Sequence, residues 1–202
     1  MKKQIIFIRG GETFANKENF YKYLRTVTLD PYKEKKVWRD WLIEALKDTY
    51  DVLSPVMPAK QNSDYVAWKI WFERHFDFIF DEKPILVGHS LGATFLLKYL
   101  SENNFPKEII QLHLVAPYVT DEGVEGEDIA TFAFEIKDIN KISNFCNDIH
   151  LWHSRDDAVV PFKNSEIVKE NLPDANFHIF EDRGHFAQPI FIEILEVINK
   201  VK

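Results

Sequence analysis

The fold of this chain is decided by residues 85–97, which read ILVGHSLGATFLL. An apolar run of strand type precedes the segment Gly88-His89-Ser90-Leu91-Gly92, and an apolar run of helix type follows it, so we predict a strand, a sharp turn and a helix. A serine in such a turn is lifted off the sheet at a helix N-terminus, where the helix dipole favours developing negative charge. Its neighbours two positions away must lack a Cβ for the turn to close. The pattern therefore predicts that Ser90 is a nucleophile.

Five further apolar runs share the chain with this one. They predict about six strands, at residues 4–8, 51–55, 84–88, 109–116, 148–153 and 176–180. Several are apolar on both faces, as is typical of a parallel sheet that is covered on both sides. Amphipathic stretches predict helices at 38–48 and 64–80, around 95–100, after Pro161 and at 189–201. Alternating strands and helices predict a single α/β domain over residues 1–202, with three layers.

One segment, residues 119–147, interrupts the alternation between the fourth and fifth strands. It is acidic at first, then aromatic, and then resumes a helical pattern; the acidic residues are Asp121, Glu122, Glu125, Glu127 and Asp128. Long excursions between regular elements are often functional. We expect a small cap or excursion here.

Composition limits the partners of the protein. Asp and Glu number 32 against 25 Lys and Arg, a net charge of −7, which argues against nucleic acid because phosphate binding needs clustered positive charge. The single cysteine, Cys146, allows no intrachain disulfide. No stretch approaches the roughly 20 apolar residues of a membrane span. We expect a cytoplasmic protein that acts on a small-molecule substrate; the oligomeric state stays open.

A serine hydroxyl needs a base and an orienting carboxylate, and two late loops offer them. The run that ends at residue 153 leads to Asp156-Asp157-Ala158-Val159-Val160-Pro161, and the run that ends at residue 180 leads to Gly184-His185-Phe186. We predict that His185 is the base and that the carboxylate lies in the Asp156–Asp157 doublet. His150 and His153 are three apart on a strand and point to opposite faces, so we expect no metal site.

These late loops resemble those of the α/β-hydrolase superfamily. The small size, the Asp doublet and the loop reading DRGHF resemble in particular its compact serine-hydrolase branch, the retinoblastoma-binding-protein type, over residues 5–198. The resemblance implies a three-layer α/β-hydrolase fold with a minimal cap, no cofactor, and Asp157 as the orienting carboxylate, with Asp156 as the alternative. The chain lacks an L-x-C-x-E segment, so nothing supports the partner binding that gave the branch its name.

The oxyanion hole is expected from two backbone N–H groups. One belongs to Leu91, the residue after the nucleophile, and the other is placed at Gly11, in the loop after the first strand. Many relatives have His-Gly in that loop, where this chain has Arg9-Gly10. Glu12 is unusual so close to a developing oxyanion. It either recognises a cationic group or is a first-turn helix acid that points away, and we favour the second.

The predicted reaction is acyl transfer through a covalent acyl-enzyme, with an ester of a small or medium acid as substrate. Four phenylalanines are candidates for an apolar acyl pocket, with ordinary core packing as the alternative: Phe14, Phe132, Phe134 and Phe186. A peptidase or amidase with Glu12 as its amine anchor is the second possibility. A non-catalytic ligand-binding protein on a hydrolase scaffold is the third.

Overall fold

The centre of the fold is a sheet of six parallel strands. The computed structural model describes residues 2–32, 37–124 and 127–201. The strands are β1 (Lys3–Ile8), β2 (Tyr50–Leu53), β3 (Ile85–His89), β4 (Gln111–Val115), β5 (Ile149–Ser154) and β6 (Asn176–Phe180). They lie in the order β2-β1-β3-β4-β5-β6, and each neighbouring pair is parallel. The predicted α/β architecture is confirmed.

Within these described ranges, six α-helices connect and flank the strands. They are α1 (Lys17–Thr26), α2 (Trp38–Leu46), α3 (Tyr65–Glu73), α4 (Leu91–Glu102), α5 (Lys163–Asn171) and α6 (Ile192–Ile198). The helix predicted at 64–80 ends at Glu73 and continues only as a 3-10 turn at Phe76–Phe78. Helix α1 has no counterpart among the predicted helices. It is capped by Asn16 and buries no residue fully, although Phe20 and Tyr23, which stand at helical spacing, pack against Phe14.

The core consists of two clusters, one on each face of the sheet. Successive residues of β1 alternate between them: Ile6 belongs to the cluster that includes α3 and α4, and Phe7 belongs to the cluster that includes α2 and α6. This alternation is the two-residue period of a strand, and it places helices on both faces. The result is the three-layer arrangement that the apolar runs predict.

The excursion at 119–147 packs on the α4 side of the sheet. Its regular parts are 3-10 helices, at Ala130–Phe132 and Ile136–Asn144. Phe132, Ile139 and Ile142 are buried in the same cluster as α4, and Lys98 of α4 donates to the carbonyl oxygen of Ala133 at 2.5 Å. Glu125 lies outside the described residues. No helix within the described ranges is long and apolar enough to cross a membrane.

Candidate active site

Ser90 occupies a strained turn between β3 and α4. Its backbone has φ 56° and ψ −128°, a conformation that L-residues rarely adopt and that is often found at functional positions. A Cβ on Gly88 would lie 2.6 Å from the Cα of Ala93, and one on Gly92 would lie 2.2 Å from the carbonyl oxygen of Ile8. Both glycines are therefore required by close backbone contacts. The sharp turn predicted from the sequence is confirmed.

This turn lies where the sheet reverses its strand order. β1 and β3 are neighbours, but the chain leaves β1 towards β2 and leaves β3 towards β4, in opposite directions. Parallel sheets form their ligand crevices outside the carboxyl ends of the strands at such a point. A Cβ on Gly10, just after β1, would lie 3.0 Å from the Cβ of Ser90. The loop after β1 is thus in direct contact with the serine.

Asp157 and His185 come together on the loops that follow β5 and β6. Nδ1 of His185 lies 2.8 Å from Oδ2 of Asp157, and the other carboxylate oxygen accepts the backbone N–H groups of Val159 and Val160, both at 2.9 Å. Asp156 has different partners. It accepts the hydroxyl of Ser154 at 2.5 Å and the N–H of Gly184 at 2.8 Å, which ties the two loops together.

A second histidine, His153, also contacts Asp157. It is fully buried, its Nε2 lies 3.3 Å from Oδ2 of Asp157 and 2.9 Å from the carbonyl oxygen of Val160, and its Nδ1 lies 2.6 Å from Oγ of Ser165. Burial alone raises the pKa of Asp157, but hydrogen bonds from His153 and His185 bring it well below its usual range. Asp157 is therefore an anion at neutral pH. No sequence pattern indicates His153, because its partners come from the following loop and from α5.

His89 joins the turn of Ser90 to the loop of His185. Its Nε2 lies 3.3 Å from the carbonyl oxygen of His185, and its Nδ1 lies 3.4 Å from Nη1 of Arg39. Burial, with the nearby His185 and Arg39, lowers the pKa of His89 well below its ordinary value. The imidazole is therefore neutral, so it donates through Nε2 to the carbonyl oxygen and accepts from Arg39 through Nδ1.

A cavity of about 450 Å³ opens beside these residues, and both Ser90 and His185 line it. Gly11 and Leu91, the predicted oxyanion-hole residues, line it as well. The cavity is strongly charged: Arg9, Arg39, Lys60, Glu12 and Glu127 all contribute to its wall. Arg39, Lys60 and Glu127 were not singled out from the sequence. They come from three separate parts of the chain, and no local pattern relates them to Ser90.

The four phenylalanines predicted to form an apolar acyl pocket lie elsewhere. Phe14 is buried against Phe20 and Tyr23. Phe132 and Phe134 belong to the α4 side of the core, and Phe186 packs within the α6 side. None of the four lines the cavity beside Ser90, so the acyl-pocket interpretation is wrong and the alternative of ordinary packing holds. Large aromatic rings are buried between sheet and helices because they carry the most apolar surface.

Glu12 faces the cavity instead of starting a helix. It lies in the loop between β1 and α1, and its Oε1 accepts the hydroxyl of Tyr23 at 3.3 Å. The first-turn acid of α1 is Glu18, so the favoured interpretation of Glu12 is wrong. Burial, followed by the negative charge of Glu12, raises the pKa of Glu127 to about 7. No group of three or more His, Cys, Asp or Glu within the described ranges is placed to hold a metal ion.

A strained serine at the switch point of a parallel sheet, with an Asp–His pair on the loops after β5 and β6, defines the class of α/β-hydrolase folds. The particular family is equally plain: the chain belongs to the serine hydrolase family, whose model matches residues 33–190. The resemblance drawn from the sequence is thereby confirmed.

Similar proteins agree with this assignment. The chain is 29% identical over 166 residues to serine hydrolase RBBP9 of Rattus norvegicus, covering 81% of this chain and 86% of the relative. Among solved structures, the ydeN gene product of B. subtilis has a TM-score of 0.74 at 19% identity and 98% coverage of both chains. A meta-cleavage product hydrolase, CumD, from Pseudomonas fluorescens has a TM-score of 0.65 at 17% identity, covering 98% of this chain and 88% of that one. At these identities the structural likeness establishes the fold alone.

Proposed function

We propose that this serine hydrolase cleaves carboxylic esters through a covalent acyl-enzyme, with Ser90 as nucleophile, His185 as general base and Asp157 as the orienting carboxylate. The observation that carries the proposal is the 2.8 Å contact between His185 and Asp157 beside the cavity that Ser90 also lines. An anionic Asp157 that accepts from Nδ1 leaves Nε2 of His185 free of a proton, as a base requires.

In the proposed reaction, Nε2 of His185 removes the proton of Ser90 as its Oγ attacks the ester carbonyl carbon. The same proton passes to the leaving alkoxide as the ester C–O bond breaks. A water molecule, activated by His185, then attacks the acyl-enzyme and releases the acid. Asp157 stabilises the imidazolium cation in both halves.

Backbone N–H groups of Leu91 and Gly11 are proposed to stabilise the oxyanion. Leu91 is the first residue of α4, so its N–H belongs to the helix N-terminus, where intrahelical acceptors are missing. Each such donor is typically worth about 3 kcal/mol of transition-state stabilisation. No cofactor takes part in these steps. We further propose a small-molecule substrate and a cytoplasmic location, in which the buried thiol of Cys146 stays reduced.

The test is labelling with a fluorophosphonate probe, read by intact mass. We expect one adduct on the wild-type protein, none on Ser90→Ala, and strongly slowed labelling of His185→Ala, since the hydroxyl then lacks its base. Ser143→Ala, a change at an exposed serine of the 119–147 excursion, is the matched control and is expected to label like the wild type. A well-folded wild-type protein that stays unlabelled would favour the non-catalytic binding function instead.

Amide hydrolysis is the second candidate, and the observation that favours it is the position of Glu12 in the cavity wall beside Glu127. A carboxylate at this position is suited to bind the ammonium group of a peptide substrate with a free amino terminus. Matched ester and amide substrates with and without a free amine separate the two functions. An amine-dependent preference for amides that disappears in Glu12→Gln would support the peptidase; equal loss on all substrates would count against it.

A further inference from the structure

The cationic side chains of the cavity wall differ in whether they form an ion pair within the protein. Nη2 of Arg9 forms an ion pair with Asp40 at 2.7 Å, and its Nε donates to Oγ of Ser54 at 3.3 Å. Within the described part of the chain, Arg39 has no such pair, and neither has Lys60, but Lys60 is exposed to solvent whereas Arg39 is half-buried. Among the described residues, no carboxylate lies within 4.0 Å of its guanidinium, and its hydrogen-bond partner is the neutral ring of His89.

Arg39 is also costly to keep charged where it is. It is half-buried on α2, and burial together with the like charge of Arg9 lowers its pKa. A guanidinium has five N–H donors in a planar fork and stays protonated even so. One donor is directed at His89, and no other described residue accepts from the guanidinium, so donors remain for a ligand in the cavity that Arg39 shares with Ser90.

We propose that Arg39 is the specificity-determining residue of this hydrolase and selects substrates that carry a free carboxylate. The inference rests on the proposed function, since it concerns the substrate that Ser90 attacks. A carboxylate fits the guanidinium fork through two parallel N–H···O bonds, which gives direction as well as charge. The ligand supplies an anion that no described residue places beside Arg39.

The opposite charges of the cavity limit the substrate to one such group. Glu12 contacts Tyr23 of α1 and lies near Glu127, whereas Arg39 contacts His89. Glu12 and Glu127 share the cavity wall with Arg39, so a second carboxylate on the substrate faces their carboxylates. Monoanionic esters are therefore the expected class.

The position of Arg39 relative to Ser90 leaves two sources for the carboxylate. It belongs either to the acyl part, as in a half-ester of a dicarboxylic acid, or to the leaving group. We compare mono-4-nitrophenyl adipate, whose carboxylate is too distant for ready cyclisation, with its methyl ester for the acyl arm, and 3-carboxyphenyl acetate with its methyl ester for the leaving-group arm. We expect kcat/KM to be about tenfold or more higher for the carboxylate in one arm, the equivalent of one good charged contact.

Substitution of Arg39 tests whether the preference for a carboxylate is lost separately from the overall activity. In Arg39→Gln we expect the preference to fall to about twofold or less, chiefly through KM of the carboxylate substrate, and in Arg39→Lys to recover in part because the charge returns without the fork. Arg74→Gln removes the same charge from the exposed C-terminal end of α3 and is expected to retain the preference. Wild-type turnover without preference in either arm would overturn the inference and leave the proposed function standing.

Absence of both turnover and fluorophosphonate labelling would instead overturn the proposed function. The carboxylate site is then measured by calorimetric titration with monomethyl succinate. Binding to the wild type that is lost in Arg39→Gln but kept in Arg74→Gln would support the site. Equal binding to wild type and Arg39→Gln, or no binding to either, would refute it.

Discussion

At the scale of single residues, Asp156 and Asp157 show how adjacent carboxylates acquire different surroundings. The side chain of Asp157 is fully buried and faces His185 and His153. Asp156 is on the outside of the same turn and joins Ser154 to Gly184. Hydrogen bonds lower the pKa of both carboxyls: the hydroxyl of Ser154 contributes most for Asp156, whereas the pKa of Asp157 falls in spite of its burial. Chemically identical neighbours are thus separated by the direction in which each side chain points.

We predict that Asp157→Asn lowers kcat by about 10⁴-fold, because an amide no longer holds His185 in the tautomer that leaves Nε2 free. Asp156→Asn is the matched comparison. It weakens the link between two loops and is expected to cost far less activity. Steady-state kinetics on one ester substrate measures both. Similar losses in the two variants would contradict the distinction between the carboxylates.

At the scale of elements, a row of stacked aromatic rings lies on strands β4, β5 and β6, the last of which is an edge strand of the sheet. Ring centroids of His113 and His150 are 4.9 Å apart, those of His150 and His178 are 5.2 Å apart, and His178 stacks on Trp152 at 3.7 Å. The strand register places His113 opposite His150 and Trp152 opposite His178. Burial is the first cause that lowers the pKa of each histidine, to about 4 for His178.

The histidines of this row predict that the folded protein loses stability in acid. The unfolded chain binds protons at these histidines near their ordinary pKa of 6.5, while folded His178 binds one only near 4, so stability is present above pH 6.5 and is lost as the pH falls towards 4. We expect a lower free energy of unfolding in urea at pH 5 than at pH 7.5. His178→Phe keeps a ring on Trp152 without a titrating group, so its stability should depend less on pH. His75→Phe, at the end of α3, is the control and should keep the full dependence.

At the scale of the whole molecule, helices pack on both faces of the sheet, and buried tryptophans contribute to the packing on each face. Trp38 on α2 is fully buried and meets Phe7 of β1 at a ring-centroid distance of 5.5 Å and Phe191 at 5.2 Å. Trp68 on α3 has the same role on the opposite face, where it packs against Phe95. Trp71, one turn further along α3, is 39% exposed.

We predict that Trp38→Ala destabilises the protein by about 3–5 kcal/mol, the usual cost of emptying a large buried aromatic site. Trp71→Ala removes the same side chain from a partly exposed position and is expected to cost clearly less. Urea unfolding followed by circular dichroism gives both values. Equal destabilisation would contradict the expectation that the buried Trp38 contributes more to stability than the partly exposed Trp71.

Local patterns in the sequence determined most of the architecture of this protein. Each strand of the sheet is a short apolar run whose ends were predictable to within two residues. The turn around Ser90 and the late loops that hold Asp157 and His185 were equally predictable, because each is a contiguous motif next to a strand. Helix α1 was not predicted: Phe20, Tyr23 and Leu24 stand at helical spacing, but the helix is short, rich in charge and buries no residue fully.

Only the tertiary structure decided what surrounds Ser90. Arg39 comes from α2, Lys60 from the loop after β2, and Glu127 from the excursion, and their convergence on one cavity depends on how distant elements pack. Polar residues on a helix or loop give no local sign of which way they point. A phenylalanine is equally suited to the core and to an apolar pocket, so the sequence does not show which of the two it occupies. The fold follows from periodicity within segments, whereas the chemistry of the cavity follows from contacts between them.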